Sequence, residues 1–121
     1  EPREDRLENI RANAAKFGLG HRMKPVHGKA PDVLDGFELP AAVFIGGGGS
    51  QKLLDHLWEV LPEGTRLVAN GVTLETETLL MNAQARRGGH LMKVETAEVS
   101  ALGSMRGWDR ARPVIQWSVV R

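Results

Sequence analysis

Residues 41–50 read Ala-Ala-Val-Phe-Ile-Gly-Gly-Gly-Gly-Ser, five apolar residues running straight into four glycines and a serine. An apolar run of strand length without polar alternation predicts a β-strand covered on both faces, the habit of parallel sheets. The glycines end it. Immediately afterwards Leu53, Leu54, Leu57, Trp58 and Leu61 recur at helical spacing, and Ser50 stands where a side-chain oxygen can cap the first turn. Strand, glycine turn and amphipathic helix in direct succession predict half of a βαβ unit.

Downstream, Pro62 to Gly64 stops that helix, Arg66 to Val72 reads as a second strand, and Leu74 to Arg87 reads as the helix after it, closed by Gly88-Gly89. Upstream, Leu7, Ile10, Ala14 and Phe17 mark a helix across residues 2–17. Pro2 suits its first turn, Glu4 and Asp5 suit the positive end of its dipole, and Gly18 or Gly20 suits its stop. Met23 to His27 predict a short strand that Pro25 places at or near a sheet edge, and a short helix around Pro31 to Leu34 leads through Pro40 to the apolar run. Up to Gly89 this alternation builds a parallel sheet with helical crossovers. The last third departs from it. His90 to Val99 and Val114 to Val120 read as successive strands with only the loop Ser100 to Pro113 between them, so they should pair antiparallel. The expected fold is α/β, a mostly parallel sheet ending in an antiparallel hairpin.

Composition narrows the function classes. A chain of 121 residues, 41% hydrophobic, suits one globular domain. Sixteen Lys and Arg against fifteen Asp and Glu leave a charge of +1, so no broad field argues for nucleic acid, and anion binding must be local. The absence of cysteine excludes disulfides and thiolate chemistry and fits a reducing cytoplasm. His21, His27, His56 and His90 show no metal-ligand spacing. No apolar run approaches the roughly 20 residues of a membrane span, and the start is unlike a signal peptide, which predicts a soluble protein. Glu1-Pro2 opens straight into a helix signal with no strand before it, which predicts a chain that begins inside a fold.

Three segments then occur in a telling order. The first is Glu1-Pro2-Arg3 followed by Leu7-Glu8-Asn9-Ile10 and Asn13; the second is Ala42-Val43-Phe44-Ile45-Gly46-Gly47-Gly48. The third joins Gly64-Thr65-Arg66-Leu67-Val68-Ala69-Asn70 and Val72-Thr73-Leu74-Glu75 to Arg106-Gly107-Trp108 and Pro113-Val114-Ile115-Gln116-Trp117. Together they resemble the C-terminal, methyl-transferring domain of the decarboxylating precorrin-6Y C5,15-methyltransferase family of cobalamin biosynthesis, over almost the whole chain. The resemblance implies a class I S-adenosylmethionine-dependent methyltransferase fold, Rossmann-like, whose final strand inserts between its two predecessors. It places the family's first strand and glycine-rich cofactor loop upstream of Glu1, so the chain is expected to be the C-terminal portion of a single methyltransferase domain with neighbouring strands left unpaired. It also implies S-adenosyl-L-methionine as methyl donor, methylation of a precorrin tetrapyrrole at C15 with loss of the ring C acetate carboxyl, a homotetramer and a cytoplasmic location.

Residue by residue, the resemblance matches Glu1 to an acidic residue that accepts from the ribose hydroxyls of the cofactor, and Gly28-Lys29-Ala30 to a segment that touches adenine. Lys29 departs from the acidic residue common there, and a lysine cannot accept from the adenine amino group, so contact should come from the backbone. The glycine turn carries the most chemical weight, because glycines let amides approach a ligand and a helix N-terminus favours negative charge. Gly46 and Gly47 are expected to border the cofactor, and Gly48, Gly49 and Ser50 to hold a substrate carboxylate. The turn is not a Walker loop, since Lys52 lacks the required glycine spacing. Asn70 and Thr73 close a strand at the edge where open α/β sheets bind ligands, so both are candidates to orient substrate or its departing carboxylate. Either equally caps the helix near Leu74, a role Thr73 suits. A substrate with many carboxylates needs arginines. Arg106, Arg110 and Arg112 flank Trp108 in the expected loop, which makes it a lid, or else a solvated loop anchored by Trp108. Arg86 and Arg87 read as dipole partners at a helix end, and Trp58 and Trp117 as core. Two alternatives stay open: a class I methyltransferase for another small molecule, and a noncatalytic binding or scaffold domain.

Overall fold

The computed structural model describes residues 1–121. Two compact units, Glu1–Glu38 and Leu39–Arg121, make up the chain.

In the first unit, helix α1 spans Glu4–Lys16 and buries Leu7 and Ala14, with Glu4 and Asp5 in its first turn and Lys16 in its last. This agrees with the expected helix to within two residues at its start and one at its end. The expected strand Met23 to His27 does not form. What exists is one rung of parallel-type pairing, Glu1 N to Val26 O at 3.1 Å and Gly28 N to Glu1 O at 3.1 Å. The segment that supplies Glu1 turns into α1 at Glu4, so no second rung follows. The expected helix around Pro31 to Leu34 is a single turn closed by Leu34 N to Pro31 O at 2.8 Å, and Gly36, at φ +82°, turns the chain out of helical geometry.

The second unit contains β1 (Ala42–Ile45), α2 (Gln51–Val60), β2 (Arg66–Gly71), α3 (Leu74–Arg87), β3 (His90–Val94), β4 (Ala97–Leu102), β5 (Met105–Arg110) and β6 (Val114–Val120). Four strands form a sheet in the order β1-β2-β6-β3, with β1 and β2 parallel and β6 antiparallel to both neighbours. Three strands therefore point one way, and the final strand is inserted in the reverse sense, the expected insertion.

Side-chain alternation sorts the two faces. Leu67 pairs with Val119, Ala69 with Trp117 and Gly71 with Ile115, and all of these are buried. Leu80 and Ala83 of α3 and Leu53, Leu54 and Leu57 of α2 are buried as well. Full burial of each large side chain contributes about 1.5–3 kcal/mol, so this one layer dominates the stability of the unit. Trp117 is 0% exposed, and its indole N–H donates to Gly88 O at 2.9 Å, which ties β6 to the end of α3. Trp58 is half-buried rather than core. The guanidinium groups of Arg87 and Arg121 lie over its ring, 4.7 Å and 5.0 Å from the ring centre.

Two expectations are corrected here. The apolar run at residues 42–45 is not covered on both faces: β1 stands at the edge of the sheet, Ile45 is buried, and Phe44 on the other face is 66% exposed. The stretch His90 to Val99 is not one strand, nor is Ser100 to Pro113 a loop. The chain breaks after Val94, and β4 and β5 form a separate two-stranded hairpin turning at Gly103-Ser104, with Gly103 at φ +61°. A two-residue Gly-Ser connection between paired Leu102 and Met105 is a hairpin signal in its own right.

Candidate active site at the carboxyl edge of the sheet

Parallel strands end on the same edge, and Ile45 of β1 lies across from Ala69 of β2. The glycine turn leaves β1 there and enters α2, where Ser50 Oγ accepts from Leu53 N at 3.2 Å. Beyond β2, Thr73 Oγ1 accepts from Thr76 N at 3.2 Å and caps α3. Each helix thus presents its positive end, with free first-turn amides, to this edge. Both β2 and β3 run antiparallel to β6, so Val94 and Val114 also lie at the edge, paired with each other, and the hairpin departs from it. One rim of the second unit therefore gathers Gly46 to Ser50, Asn70, Thr73 and the base of the β4–β5 hairpin.

The glycines are not all there for the turn. Only Gly48 has positive φ, at +69°. A Cβ on Gly46 would come within 3.2 Å of the Phe44 ring, one on Gly49 would make ordinary contacts at 3.8 Å, and one on Gly47 would meet nothing. Backbone conformation accounts for one glycine of the four, and the others leave main-chain amides uncovered beside a helix N-terminus.

Of the two polar residues after β2, Thr73 takes the capping role, and its hydroxyl also lies 3.0 Å from Thr76 Oγ1. Asn70 does not cap. Its Oδ1 accepts from Gln116 Nε2 at 2.9 Å across the β2–β6 pair. Gln116 entered the sequence reading only as part of a motif, although a polar residue alternating with buried Ile115 and Trp117 was a visible signal.

Arg106, Trp108 and Arg110 alternate along β5 and so share one face of the hairpin, opposite Ala101, Val99 and Ala97. Trp108 is 71% exposed, so it anchors nothing within this chain. The other face carries Glu98 across from Asp109. The lid expected as a loop is a paired ribbon, held at its base by Ala111 N to Thr96 O at 3.0 Å. Arg110 lies next to that base, and Arg106 lies four positions nearer the tip, about 13 Å farther along the strand.

In the first unit, Glu1 and Gly28 are joined by the rung already described. Glu1 Oε1 accepts from Arg3 N at 3.0 Å, which leaves the second carboxylate oxygen without a hydrogen bond. Gly28 has a structural reason of its own: φ is +142°, and a Cβ would fall 2.2 Å from Val33 Cγ1. Lys29 is exposed and Ala30 half-buried.

A depression of about 310 Å³ lined by Arg66, Val68, Gly89, Ser118 and Val120, among others, lies at the opposite rim, where β2 begins and β6 ends. It is mainly apolar, whereas the polar candidate residues gather at the carboxyl edge.

A sheet with a reversed strand inserted next to last, helices starting at one rim and a glycine turn on that rim is the class I methyltransferase arrangement. Solved structures agree. The C-terminal domain of precorrin-6Y C5,15-methyltransferase from Rhodobacter capsulatus superposes with a TM-score of 0.96 at 56% identity, covering 100% of this chain and 66% of that one. A putative precorrin-6Y C5,15-methyltransferase domain from Corynebacterium diphtheriae gives 0.91 at 36% identity, covering 100% and 71%. The precorrin-6Y C(5,15)-methyltransferase [decarboxylating] of Sinorhizobium sp is 42% identical over 119 residues, 98% of this chain but 29% of that protein. The sequence profile described as "Precorrin methyltransferase domain" matches residues 1–121, and the chain belongs to that family. It spans less than a third of the length of the curated relatives it matches first.

Proposed function

We propose that the protein containing this chain methylates a precorrin at C15, with S-adenosyl-L-methionine as donor and with decarboxylation of the ring C acetate. Residues 1–121 are then the C-terminal portion of one methyltransferase domain of a cytoplasmic enzyme; no helix is long and apolar enough to cross a membrane. The observation that carries the reading is the carboxyl rim, where an over-supplied glycine turn and two capped helix N-termini face the same way in a chain of this family.

S-adenosylmethionine, when bound, supplies an electrophilic sulfonium methyl group. The residues present suit it: Gly46 and Gly47 carry no side chain of their own beside their amides, with open space around Gly47, and Glu1 keeps one carboxylate oxygen free for a ribose hydroxyl. The backbone of Gly28, Lys29 and Ala30 is the proposed adenine contact. Gly48, Gly49 and the main-chain N–H of Ser50 offer donors to a substrate carboxylate, strengthened by the α2 dipole. Asn70 adds a side-chain amide, and Arg110, Trp108 and Arg106 offer two cations and an aromatic surface to a flat polyanion. Holding the two reactants in line supplies most of the acceleration. Thr73 contributes by fixing the start of α3.

The partner of the hairpin is proposed to be further copies of the same chain, a tetramer by resemblance. In support, Val99, Leu102, Met105 and Trp108 are all exposed, and the basic and acidic residues lie on opposite faces of the ribbon. No broad charge points to nucleic acid.

The deciding experiment is calorimetric titration of the intact protein with S-adenosylhomocysteine, followed by assay of methyl transfer and carbon dioxide release from a precorrin. Binding with both products supports the proposal. Binding without either product points to a methyltransferase for another small molecule, and no heat from folded protein points to a scaffold.

A further inference from the structure

We infer that Gln116 is a positioning residue of this site: through one hydrogen bond it turns the Asn70 amide so that Nδ2, a donor, faces outward toward a substrate carboxylate. The inference rests on the preceding reading of the carboxyl rim as the place where the substrate acetate binds.

Asn70 and Gln116 are direct cross-strand partners one position from the end of β2. Their neighbours Gly71 and Ile115 point toward α3, since a Cβ on Gly71 would strike Thr76 and approach Ile115. Strand alternation therefore places Asn70 and Gln116 on the opposite face of the sheet. Both are half-buried. Gln116 Nε2 donates to Asn70 Oδ1 at 2.9 Å, and this bond turns the Asn70 oxygen toward Gln116. Asn70 Nδ2 has no partner within the chain, yet no side-chain nitrogen or oxygen is buried unsatisfied, so Nδ2 is open to the surroundings.

The orientation matters because an asparagine amide has two faces of opposite sign. With Nδ2 outward it offers two N–H groups to a carboxylate. Flipped, it would point a carbonyl oxygen at the same anion and repel it. The residue that pairs with Gln116 on its other side is Met92, whose thioether is only a weak acceptor, so nothing on β3 competes for the Gln116 amide. A bond inside the sheet thus sets the sign of a group at its rim.

The test uses the intact enzyme and the variants Gln116→Glu and Asn70→Ala, alone and combined. A glutamate at 116 can only accept, so Asn70 must turn Nδ2 inward and its oxygen outward while the pair stays bonded. The expected result for Gln116→Glu is a KM for precorrin raised about tenfold or more, with Tm and S-adenosylhomocysteine affinity unchanged. In the Asn70→Ala background the same substitution should leave KM unmoved, because the effect acts through Asn70. A KM effect of equal size in both backgrounds, or none in either, overturns the inference. Side-chain amide exchange in protein labelled with 15N at Asn and Gln reads the orientation without turnover: Gln116 Nε2 protons protected and Asn70 Nδ2 protons fast are expected, and the reverse overturns it. Wild-type protein that transfers no methyl group would sink the functional reading, whereas reversed exchange in an active enzyme would sink only the role of Gln116.

Discussion

Trp117 and Trp108 occupy neighbouring strands of the sequence and opposite situations. Trp117 is wholly enclosed beneath α3 with its N–H bonded to Gly88, while Trp108 stands on an unsupported ribbon with most of its surface in solvent. The first is explained by packing within this chain. The second is not, and neither are Arg106 and Arg110 beside it, which make no ion pair here. Residues that the fold does not need are the ones to examine for recognition. An isolated two-stranded hairpin is marginal in water, which makes the ribbon the place to look for the proposed contacts with substrate or further copies of the chain.

The widest contrast comes from removing each indole. Trp117→Ala should cost about 3–5 kcal/mol in denaturant unfolding, because it empties the centre of the buried layer. Trp108→Ala should change stability of the isolated subunit by less than about 0.5 kcal/mol while weakening precorrin turnover or subunit association, the latter read by light scattering. Equal losses of stability would erase the distinction. Next in size, Gly71→Ala forces a Cβ to within 2.3 Å of Thr76 Cγ2 and should cost about 1–3 kcal/mol, visible in Tm. Gly47→Ala, where a Cβ meets nothing, should leave Tm in place and lower S-adenosylhomocysteine affinity or methyl transfer. Thr73→Ala should cost about 1 kcal/mol through the lost α3 cap. Its activity should fall only as far as its stability does, as measured well below Tm; a larger fall would restore Thr73 to the chemistry.

The smallest effect concerns acid. Asp55 receives two hydrogen bonds from Gln51 Nε2, both 2.8 Å, and an ion pair from Arg87; the Gln51 bonds first, then Arg87, hold its carboxyl below the usual range. A carboxyl lowered in the folded state stabilises fully above its unfolded pKa and loses that contribution as pH falls through the folded value. Unfolding followed from pH 6 to pH 2 should therefore show slightly less acid sensitivity in Asp55→Asn than in wild type. The difference should shrink with added salt, because the pair is partly exposed.

Legibility in the sequence followed periodicity. The elements with a strong repeat and an end signal, α1, α2 and α3, and the strands β1, β2 and β6, were readable to within a few residues, and Ser50 and Thr73 do cap as their types suggest. Weak or interrupted repeats misled. The segment facing Met23 to His27 turns into α1 after a single rung, so no strand forms there, and residues 90–99 look continuous because nothing at Glu95-Thr96 resembles a turn. The antiparallel insertion of β6 followed from family resemblance, since spacing along the chain carries no information on which strands become neighbours. The role of Gln116 was hidden for a related reason: the partner of Asn70 lies 46 residues away, and only the register of β2 against β6 brings them together.

That register also has a temporal side. β6 occupies residues 114–120 of 121, yet it is an interior strand, flanked by β2 and β3 and supplying the largest enclosed side chain. During synthesis β1, β2, α3 and β3 emerge first and wait with an open seam, because the strand that joins β2 to β3 is translated after them. Folding of this unit must therefore complete late, through contacts between residues far apart in sequence, which is a slow and aggregation-exposed route. Translation halted before Val114 would leave a sheet that lacks its middle rather than its fringe.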